Sequence, residues 1–196
     1  MKQRLLNLFK KNFYNYFYII FLGAISSYSL FSFNFFIIFL IFFSLFFIFI
    51  FNKKKITLSN KPFFLYGWCF GFGYFLFSLY WIIISLTFDQ SFKFLIPIAI
   101  ILLPAFLAIF YGLTIYLFSV FYSKNVISSF FIFSILFGTI EFVRGSIFTG
   151  FPWNLISFSF LNNIYFIQIL SIIGTYSFNL ICISFFTAPA LFILRN

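Results

Sequence analysis

The chain has 196 residues, of which 64% are hydrophobic and only 7% are charged. Because a soluble domain carries about 25% charged residues, this composition excludes an ordinary soluble protein and indicates an integral membrane protein. The formal net charge is +10. The basic residues lie in short stretches between apolar runs, which is typical of topology signals and not of nucleic-acid binding.

The apolar runs predict an all-α, polytopic transmembrane helix bundle of about six spans with a cytoplasmic N-terminus. Residues 1–12 form a basic cytoplasmic segment, and residues 13–196 form the transmembrane domain. The predicted helices cover residues 13–31, 35–51, 63–88, 92–122, 126–148 and 164–194. Pro97 and Pro104 predict a kink or a late start in the fourth helix. Gly174 and Pro189 are weak points in the sixth.

The basic residues support this orientation. With a cytoplasmic N-terminus, the cytoplasmic side receives ten of the twelve basic residues, namely Lys2, Arg4, Lys10, Lys11, Lys53, Lys54, Lys55, Lys61, Lys124 and Arg195. Only Lys93 and Arg144 fall on the other side or within a span. The positive-inside rule therefore favours this count and orientation, and an odd number of early helices would scatter the basic residues.

Residue types that carry catalysis or bind metals are scarce. The chain has 42 phenylalanines, an excess that we attribute to the AT-rich codons of an AT-biased genome, and no histidine. Its two cysteines, Cys69 and Cys182, lie in apolar runs without a C-x-x-C spacing. We therefore interpret them as small buried side chains. The sequence predicts no metal site, no cofactor and no catalytic residue in this chain.

Glu141 is one of two acidic residues, and Arg144 follows three positions later on the predicted fifth helix. Residues at this spacing share a helix face, and a lone charge near mid-bilayer costs about 2.5–3.5 kcal/mol. Two interpretations stay open: a polar site facing the bundle interior or a water-filled cavity, and a structural ion pair that fixes helix packing. The other acid, Asp89, lies in a loop beside Gln90 and Lys93, where a surface role is expected.

Two further stretches stand out. After the predicted fifth helix, Gly150 and Pro152 favour a helix end, Pro152 favours an extended Phe151, and Trp153 is expected at the membrane interface.

The second stretch is GWCFGFGYFLFSLYW, residues 67–81. Its Gly67 and Gly71 form a G-x-x-x-G pair that permits close helix approach, and Gly73 adds a third small position. It is not a dinucleotide fingerprint, because Leu76 stands where the third glycine is required.

Together these stretches resemble a known family. GWCFGFGYFLFSLYWI, followed about sixty residues later by EFVRGSIFTGFPWN, is similar to the N-terminal membrane domain of bacterial apolipoprotein N-acyltransferase. QILSIIGTYSFNLI, residues 168–181, resembles the helix that follows the GFPW turn in that family; in this chain the GFPW run is residues 150–153. The basic N-terminus and the helix order also match.

The resemblance implies a reaction. Family members transfer an acyl chain from a membrane phospholipid to the free α-amino group of a lipoprotein's diacylglyceryl-cysteine, through a thioester on a catalytic cysteine. A nitrilase-like domain carries that cysteine with a glutamate and a lysine, which raise its thiolate character and stabilise the oxyanion. Family members continue with this domain, whereas this chain ends at Asn196. We therefore expect the chain to be inactive alone, as the membrane part of an acyltransferase that is truncated, split between two genes or interrupted by a frameshift. In the split case, a separately encoded nitrilase-like domain is the implied partner.

The family likeness also implies a place and a role for the polar residues. Glu141, Arg144 and the turn that holds Gly150, Phe151, Pro152 and Trp153 are expected to shape lipid entry or to support the docked catalytic domain. The implied location is the bacterial inner membrane, with phospholipid and lipoprotein as substrates. Two alternatives stay open: a non-catalytic, lipid- or partner-binding relative of the family, and a small transporter or channel. The absence of an internal repeat and the few polar residues within helices disfavour the last.

Overall fold

The computed structural model describes residues 2–31, 35–147, 154–161 and 163–195, with the side chains of all of these except residues 2–12 and 92. Its α-helices are α1 (Lys2–Ser26), α2 (Phe36–Ile56), α3 (Lys61–Ser78), α4 (Trp81–Thr87), α5 (Ile96–Phe121), α6 (Val126–Ile147), α7 (Ile164–Ile173), α8 (Thr175–Thr187) and α9 (Pro189–Leu194). Short 3-10 helices cover Ser27–Leu30, Gln90–Leu95 and Ile156–Phe160. Since these ranges contain no strand, the predicted all-α fold is confirmed.

Several helices are long and apolar enough to cross a membrane. Among the described residues these segments are Phe36–Ile56, Lys93–Phe121, Val126–Ile147 and Thr175–Leu194. Together, α3 and α4 are also long and apolar enough to form one broken span or a re-entrant loop. The polytopic class is therefore confirmed, with four or five candidate spans against the six predicted. The difference lies in α1, which ends at Ser26, so that its apolar part after Lys11 and Asn12 is only 14 residues long, too short to cross a bilayer. Six spans and a cytoplasmic N-terminus stay predictions.

Two predicted helices are interrupted. The segment predicted over residues 63–88 is broken after Ser78, and α4 is bent by 49° from α3. The segment predicted over residues 164–194 is broken at Gly174, whose φ of 81° and ψ of 158° are readily adopted only by glycine. It breaks again before Pro189, which lacks the amide proton needed inside a helix.

The fourth predicted helix begins later than residue 92. Residues Gln90–Leu95 form a 3-10 helix, and α5 starts at Ile96 with Pro97 in its first turn. Proline suits that position because its fixed φ matches a helix and its missing donor would be unpaired there anyway. The helix then continues through Pro104 to Phe121.

Glycines let α3 pack closely against α1 and α5. A Cβ placed on Gly67 or Gly71 would collide with Tyr111 of α5. A Cβ on Gly73 would collide with the carbonyl oxygen of Ile20 in α1. At 3.6 residues per turn, Gly73 points roughly 200° away from Gly71, so the glycines serve opposite faces of α3.

Phenylalanine rings fill the core between α2, α3 and α6. The rings of Phe46 and Phe70 stack at 4.0 Å, and Phe43 contacts Phe137 edge to face at 5.4 Å. All four side chains are fully buried. The abundant phenylalanines therefore pack against one another here, where offset and edge-to-face aromatic pairs are favourable.

One end of the bundle carries a cluster of lysines, which we call the basic end: Lys53, Lys54, Lys55, Lys61 and Lys124. The elements that bear them meet there, because the ring of Phe51 at the end of α2 lies 5.4 Å from that of Tyr122, which directly follows α5. The ammonium group of Lys54 also lies 5.5 Å from the ring of Phe63 in α3. The start of α4 and the end of α6 lie at the opposite end.

Candidate functional site

A buried ion pair lies in the half of α6 away from the basic end. Glu141 and Arg144 are both fully buried, and Nη2 of Arg144 lies 3.6 Å from Oε1 of Glu141. Their spacing of three residues places both side chains on one face of the helix. Glu141 lies six residues before the end of α6 at Ile147, about 9 Å along the helix axis.

The carboxylate of Glu141 accepts hydrogen bonds from three other elements. The hydroxyl of Tyr111 in α5 donates to Oε1 at 2.7 Å. The side-chain amide of Asn179 in α8 donates to Oε2. The backbone N–H of Ile156 donates to the same carboxylate. A single buried charge therefore joins α5, α6, α8 and the 3-10 helix Ile156–Phe160.

Asn179 extends this network to the 3-10 helix. While its amide nitrogen donates to Glu141, its Oδ1 accepts from the backbone N–H of Ser157 at 2.9 Å. Asn179 is fully buried. Both ends of its amide are thus satisfied, which a buried polar group needs to avoid a desolvation penalty.

Asn154 ties the start of the same segment to α3. Its Nδ2 donates to the carbonyl of Ser78 at 2.9 Å, and its own carbonyl accepts from the hydroxyl of Tyr74 at 3.1 Å. Its φ is 41°, in the left-handed region that asparagine tolerates better than most residues. Residues 154–157 are therefore held to α3 at one end and to Glu141 and Asn179 at the other.

Arg144 has few polar contacts for a buried cation. Its guanidinium carbon lies 5.2 Å from the centre of the Phe75 ring, a cation–π distance. In the part of the chain that the structure describes, its Nε, Nη1 and Nη2 have no hydrogen-bond acceptor. The positive charge is therefore offset by Glu141 and Phe75. Gly145 lies beside it, and a Cβ there would collide with the hydroxyl of Tyr176 in α8.

The predicted candidates fall into three places. Glu141 and Arg144 meet in the buried network, which we call the ionic centre: Glu141, Arg144, Tyr111, Asn179 and the backbone of Ile156 and Ser157. The glycines at 67, 71 and 73 lie at the contacts of α3 with α5 and α1. Four more candidates, Gly150, Phe151, Pro152 and Trp153, lie outside the described residues.

Sequence reasoning missed Tyr111, Asn179, Tyr74 and Asn154. Asn179 is an amide inside an otherwise apolar helix, and such a residue usually has a buried partner, so this signal was available. Asn154 directly follows the GFPW run and is another amide in an apolar stretch. Nothing in the sequence distinguishes Tyr74 and Tyr111 from the other ten of the 12 tyrosines.

The contacts of the ionic centre join four structural elements through one carboxylate. Cys69 and Cys182 are buried in α3 and α8. The described residues include no group of three or more His, Cys, Asp or Glu side chains that could hold a metal ion. What the geometry supplies is a fixed charge that positions the segment beside it.

Comparison with known proteins identifies relatives. Residues 22–188 match the family described as "Apolipoprotein N-acyltransferase N-terminal domain". Apolipoprotein N-acyltransferase of Rhizobium etli is 39% identical over 136 residues, which are 69% of this chain and 25% of the relative. The Brucella melitensis protein of the same name is 37% identical over 139 residues, 70% of this chain and 25% of the relative. No solved structure matches the chain significantly.

The chain spans about a quarter of the length of these curated relatives. The family match covers most of the chain and includes α2 to α8 with the whole ionic centre. This protein therefore belongs to the apolipoprotein N-acyltransferase N-terminal domain family.

Proposed function

We propose that this chain is the membrane-embedded part of an apolipoprotein N-acylation system in the bacterial inner membrane. In the complete system, an acyl chain passes from a phospholipid to the free amino group of a lipoprotein's N-terminal cysteine. The nucleophile and its acid–base partners would belong to a nitrilase-like domain. This chain would supply the membrane platform on which that domain works.

The observation that carries this proposal is the ionic centre, seen within a chain of this family. Four hydrogen bonds hold residues 154–157 at the end of the bundle opposite the basic end. If the basic end is cytoplasmic, the anchored segment faces the outer side of the membrane, where lipoproteins are acylated in the proposed system. Burying a charge costs stability. That this chain nevertheless buries one beside the segment supports the proposal that the geometry of this surface has to be fixed.

The role we assign to Glu141 and Arg144 is positioning. Their contacts are to protein groups, and both side chains are inaccessible to solvent. They would hold the surface on which the catalytic domain docks and near which lipid arrives. Gly150, Phe151, Pro152 and Trp153 immediately precede the anchored Asn154, so the same centre would determine where the GFPW turn begins.

The test is joint expression. The reading frame downstream of the codon for Asn196 is sequenced, and any nitrilase-like domain encoded there is co-expressed with this chain in cells depleted of their own enzyme. Acylation of a diacylated lipoprotein is then followed by mass spectrometry of its N-terminal peptide. We expect the triacylated peptide only when both parts are present.

Each part expressed alone is the control. Acylation by the nitrilase-like domain without this chain would contradict the proposal, as would its absence when both parts are present and folded. Absence of any nitrilase-like frame would favour the alternative of a non-catalytic membrane protein that binds lipid or a partner.

A further inference from the structure

The basic end gathers cations from three separate segments of the chain. They are the last turn of α2 with Lys53, Lys54 and Lys55, the first residue of α3, which is Lys61, and the loop between α5 and α6 with Lys124. The only acidic residues of the sequence, Asp89 and Glu141, both lie toward the opposite end of the bundle. The basic end therefore carries five positive charges with no acidic side chain beside them.

One pair of these cations lies where α2 meets α3. The ammonium group of Lys54 lies 5.5 Å from the centre of the Phe63 ring, and Phe63 follows Lys61 by two residues. Lys54 also donates a hydrogen bond to Oδ1 of Asn60 at 2.5 Å. These contacts hold one ammonium group beside the start of α3, where the exposed Lys61 adds a second positive charge.

A second pair lies where α2 meets the loop between α5 and α6. The ammonium group of Lys55 lies 4.6 Å from the centre of the Phe51 ring, which is itself 5.4 Å from the ring of Tyr122. Lys124 follows Tyr122 by two residues, at most about 7 Å along the backbone. Both lysines are exposed. The cation–π contact of Lys55 keeps its charge at the level of the last core rings.

Exposed aliphatic side chains lie among these lysines. Ile56, the last residue of α2, is 78% exposed, and Leu58 in the loop that follows is 99% exposed. A surface that combines lysines with unburied aliphatic groups fits the boundary between lipid headgroups and acyl chains. A nucleic acid or an acidic protein would match the lysines alone. The partner that fits this surface best is therefore an anionic lipid.

We propose that the basic end is a binding surface for anionic phospholipids of the leaflet that it faces. The ammonium groups contact the headgroup phosphates, and Ile56 and Leu58 reach the acyl boundary. Orientation during insertion needs only the number of these charges, whereas their gathering around aliphatic side chains gives the folded chain a lasting preference for anionic lipid. The proposal goes beyond acyl transfer and does not rest on it.

The experiment measures lipid binding to the purified full chain. The chain in a neutral detergent is titrated with phosphatidylglycerol or with phosphatidylcholine, and the complexes are counted by native mass spectrometry. We expect phosphatidylglycerol to bind at least tenfold more tightly, because phosphatidylcholine has the same phosphate but no net charge. The preference should shrink as the ammonium acetate concentration is raised, since salt screens exposed charges.

Matched variants locate the surface. The triple variant Lys55→Gln, Lys61→Gln and Lys124→Gln should weaken phosphatidylglycerol binding tenfold or more, because one lysine near an anionic lipid contributes about fivefold. Binding of phosphatidylcholine should not change. Arginine at the same three positions keeps the charges and should bind like the original chain. Lys93→Gln, at an exposed position toward the opposite end, controls for net charge and should have no effect.

A further comparison distinguishes lipid from free phosphate. Glycerophosphoglycerol, the headgroup of phosphatidylglycerol without its acyl chains, should compete at least tenfold less well than the lipid. Leu58→Gln should weaken binding of the lipid and leave that of the free headgroup unchanged. Equal competition by the two compounds would show a site for free phosphate and overturn the assignment to lipid.

The proposal is also overturned if both lipids bind equally, or if the folded triple glutamine variant binds phosphatidylglycerol like the original chain. Folding is judged by circular dichroism and gel filtration. An equal loss in Lys93→Gln would contradict it as well, because the effect would then follow net charge alone. Should the triple variant fail to fold, Lys124→Gln is compared with Lys93→Gln, and about fivefold weaker binding in the first alone is expected.

Discussion

The two ends of the bundle are built by different means. Toward the basic end, glycines and phenylalanine rings bring α1, α2, α3 and α5 together, and none of the charged side chains that the structure describes there is buried. Toward the opposite end, α4 leaves α5, and a buried carboxylate with an arginine, a tyrosine and an asparagine connects the remaining helices. Rings and backbones pack directly at one end, whereas a buried charge network connects the helices at the end for which we propose a role in acyl transfer.

The two ends of the bundle are therefore expected to contribute differently to stability and to geometry. Dispersion contacts between rings and between backbones stabilise the bundle in a lipid environment, where the hydrophobic effect does not drive helices together. A buried ion pair adds little net stability, because desolvation offsets much of its Coulomb attraction, but losing one partner is costly. The ionic centre is therefore suited to specifying geometry. Substitutions in each region should give different signatures.

The largest effect should follow from Gly67→Ala, which breaks the close contact of α3 with α5. The new Cβ would collide with the backbone carbonyl of Tyr111, which cannot move without shifting α5. We expect destabilisation by more than about 3 kcal/mol, measured by unfolding in detergent. Gly112→Ala is the control, because the three atoms nearest to its Cβ all belong to the side-chain ring of Phe64, which can move more easily than a backbone carbonyl. An equal effect of both substitutions would contradict the account of this contact.

Removing one partner of the ion pair should come next. Glu141→Gln leaves the Arg144 guanidinium buried without its counter-charge, at a cost of about 3–5 kcal/mol. The double variant Glu141→Gln with Arg144→Met buries no charge and should recover most of that loss. The stability of each variant is measured by thermal unfolding and by the amount of protein in the membrane. A double variant less stable than Glu141→Gln alone would refute the assignment of the cost to an unpaired charge.

A smaller effect is expected from Tyr111→Phe. This change removes one hydrogen bond to the carboxylate of Glu141 and preserves the ring, so the loss should be about 1.5–3 kcal/mol. Tyr116→Phe on the same helix, at a partly exposed position, should stay within about 0.5 kcal/mol. Unfolding of the two variants under the same conditions distinguishes them, and equal stabilities would argue against a strong bond at Tyr111.

The smallest effect concerns the exposed cap at Asp89. Hydrogen bonds from the hydroxyl and N–H of Ser91 lower the pKa of Asp89 below its usual value. Because the folded pKa is the lower one, the cap stabilises its turn above the unfolded pKa, near 4, and loses this as pH falls through the folded value. The hydrogen-exchange protection factors of Gln90–Leu95, which correct for the intrinsic pH dependence of amide exchange, should therefore fall at low pH. Asp89→Asn should remove that dependence, and a pH response unchanged in Asp89→Asn would exclude the cap as its cause.

Much of the fold could be predicted because hydropathy and glycine are strong local signals. The apolar runs indicated a polytopic all-α bundle, and the GFPW and glycine-rich stretches indicated the family. Because no proline or glycine lies at the bend after Ser78, no local signal predicts a division of residues 63–88. The division at Gly174 had a local signal, since only glycine readily adopts its conformation.

The ionic centre was predictable only in part. Glu141 and Arg144 stand out because charges are rare in this chain, and their spacing places them together. Tyr111, Asn179 and the backbone of Ile156 come from segments 15 to 38 residues away. Nothing local requires those segments to converge. Their meeting depends on how the helices pack. A uniformly apolar helix has no polar face, so the periodicity of its sequence does not show which side packs against which neighbour.

The most direct test of the central claim is lipoprotein N-acylation by the double variant Glu141→Gln with Arg144→Met, co-expressed with the nitrilase-like domain. If the ionic centre fixes the surface needed for acyl transfer, the variant accumulates in the membrane like the original chain. Its acylation rate then falls by roughly tenfold or more, a loss of about 1.4 kcal/mol in transition-state stabilisation. Unchanged acylation at unchanged protein level would contradict the claim and reduce the centre to a packing element.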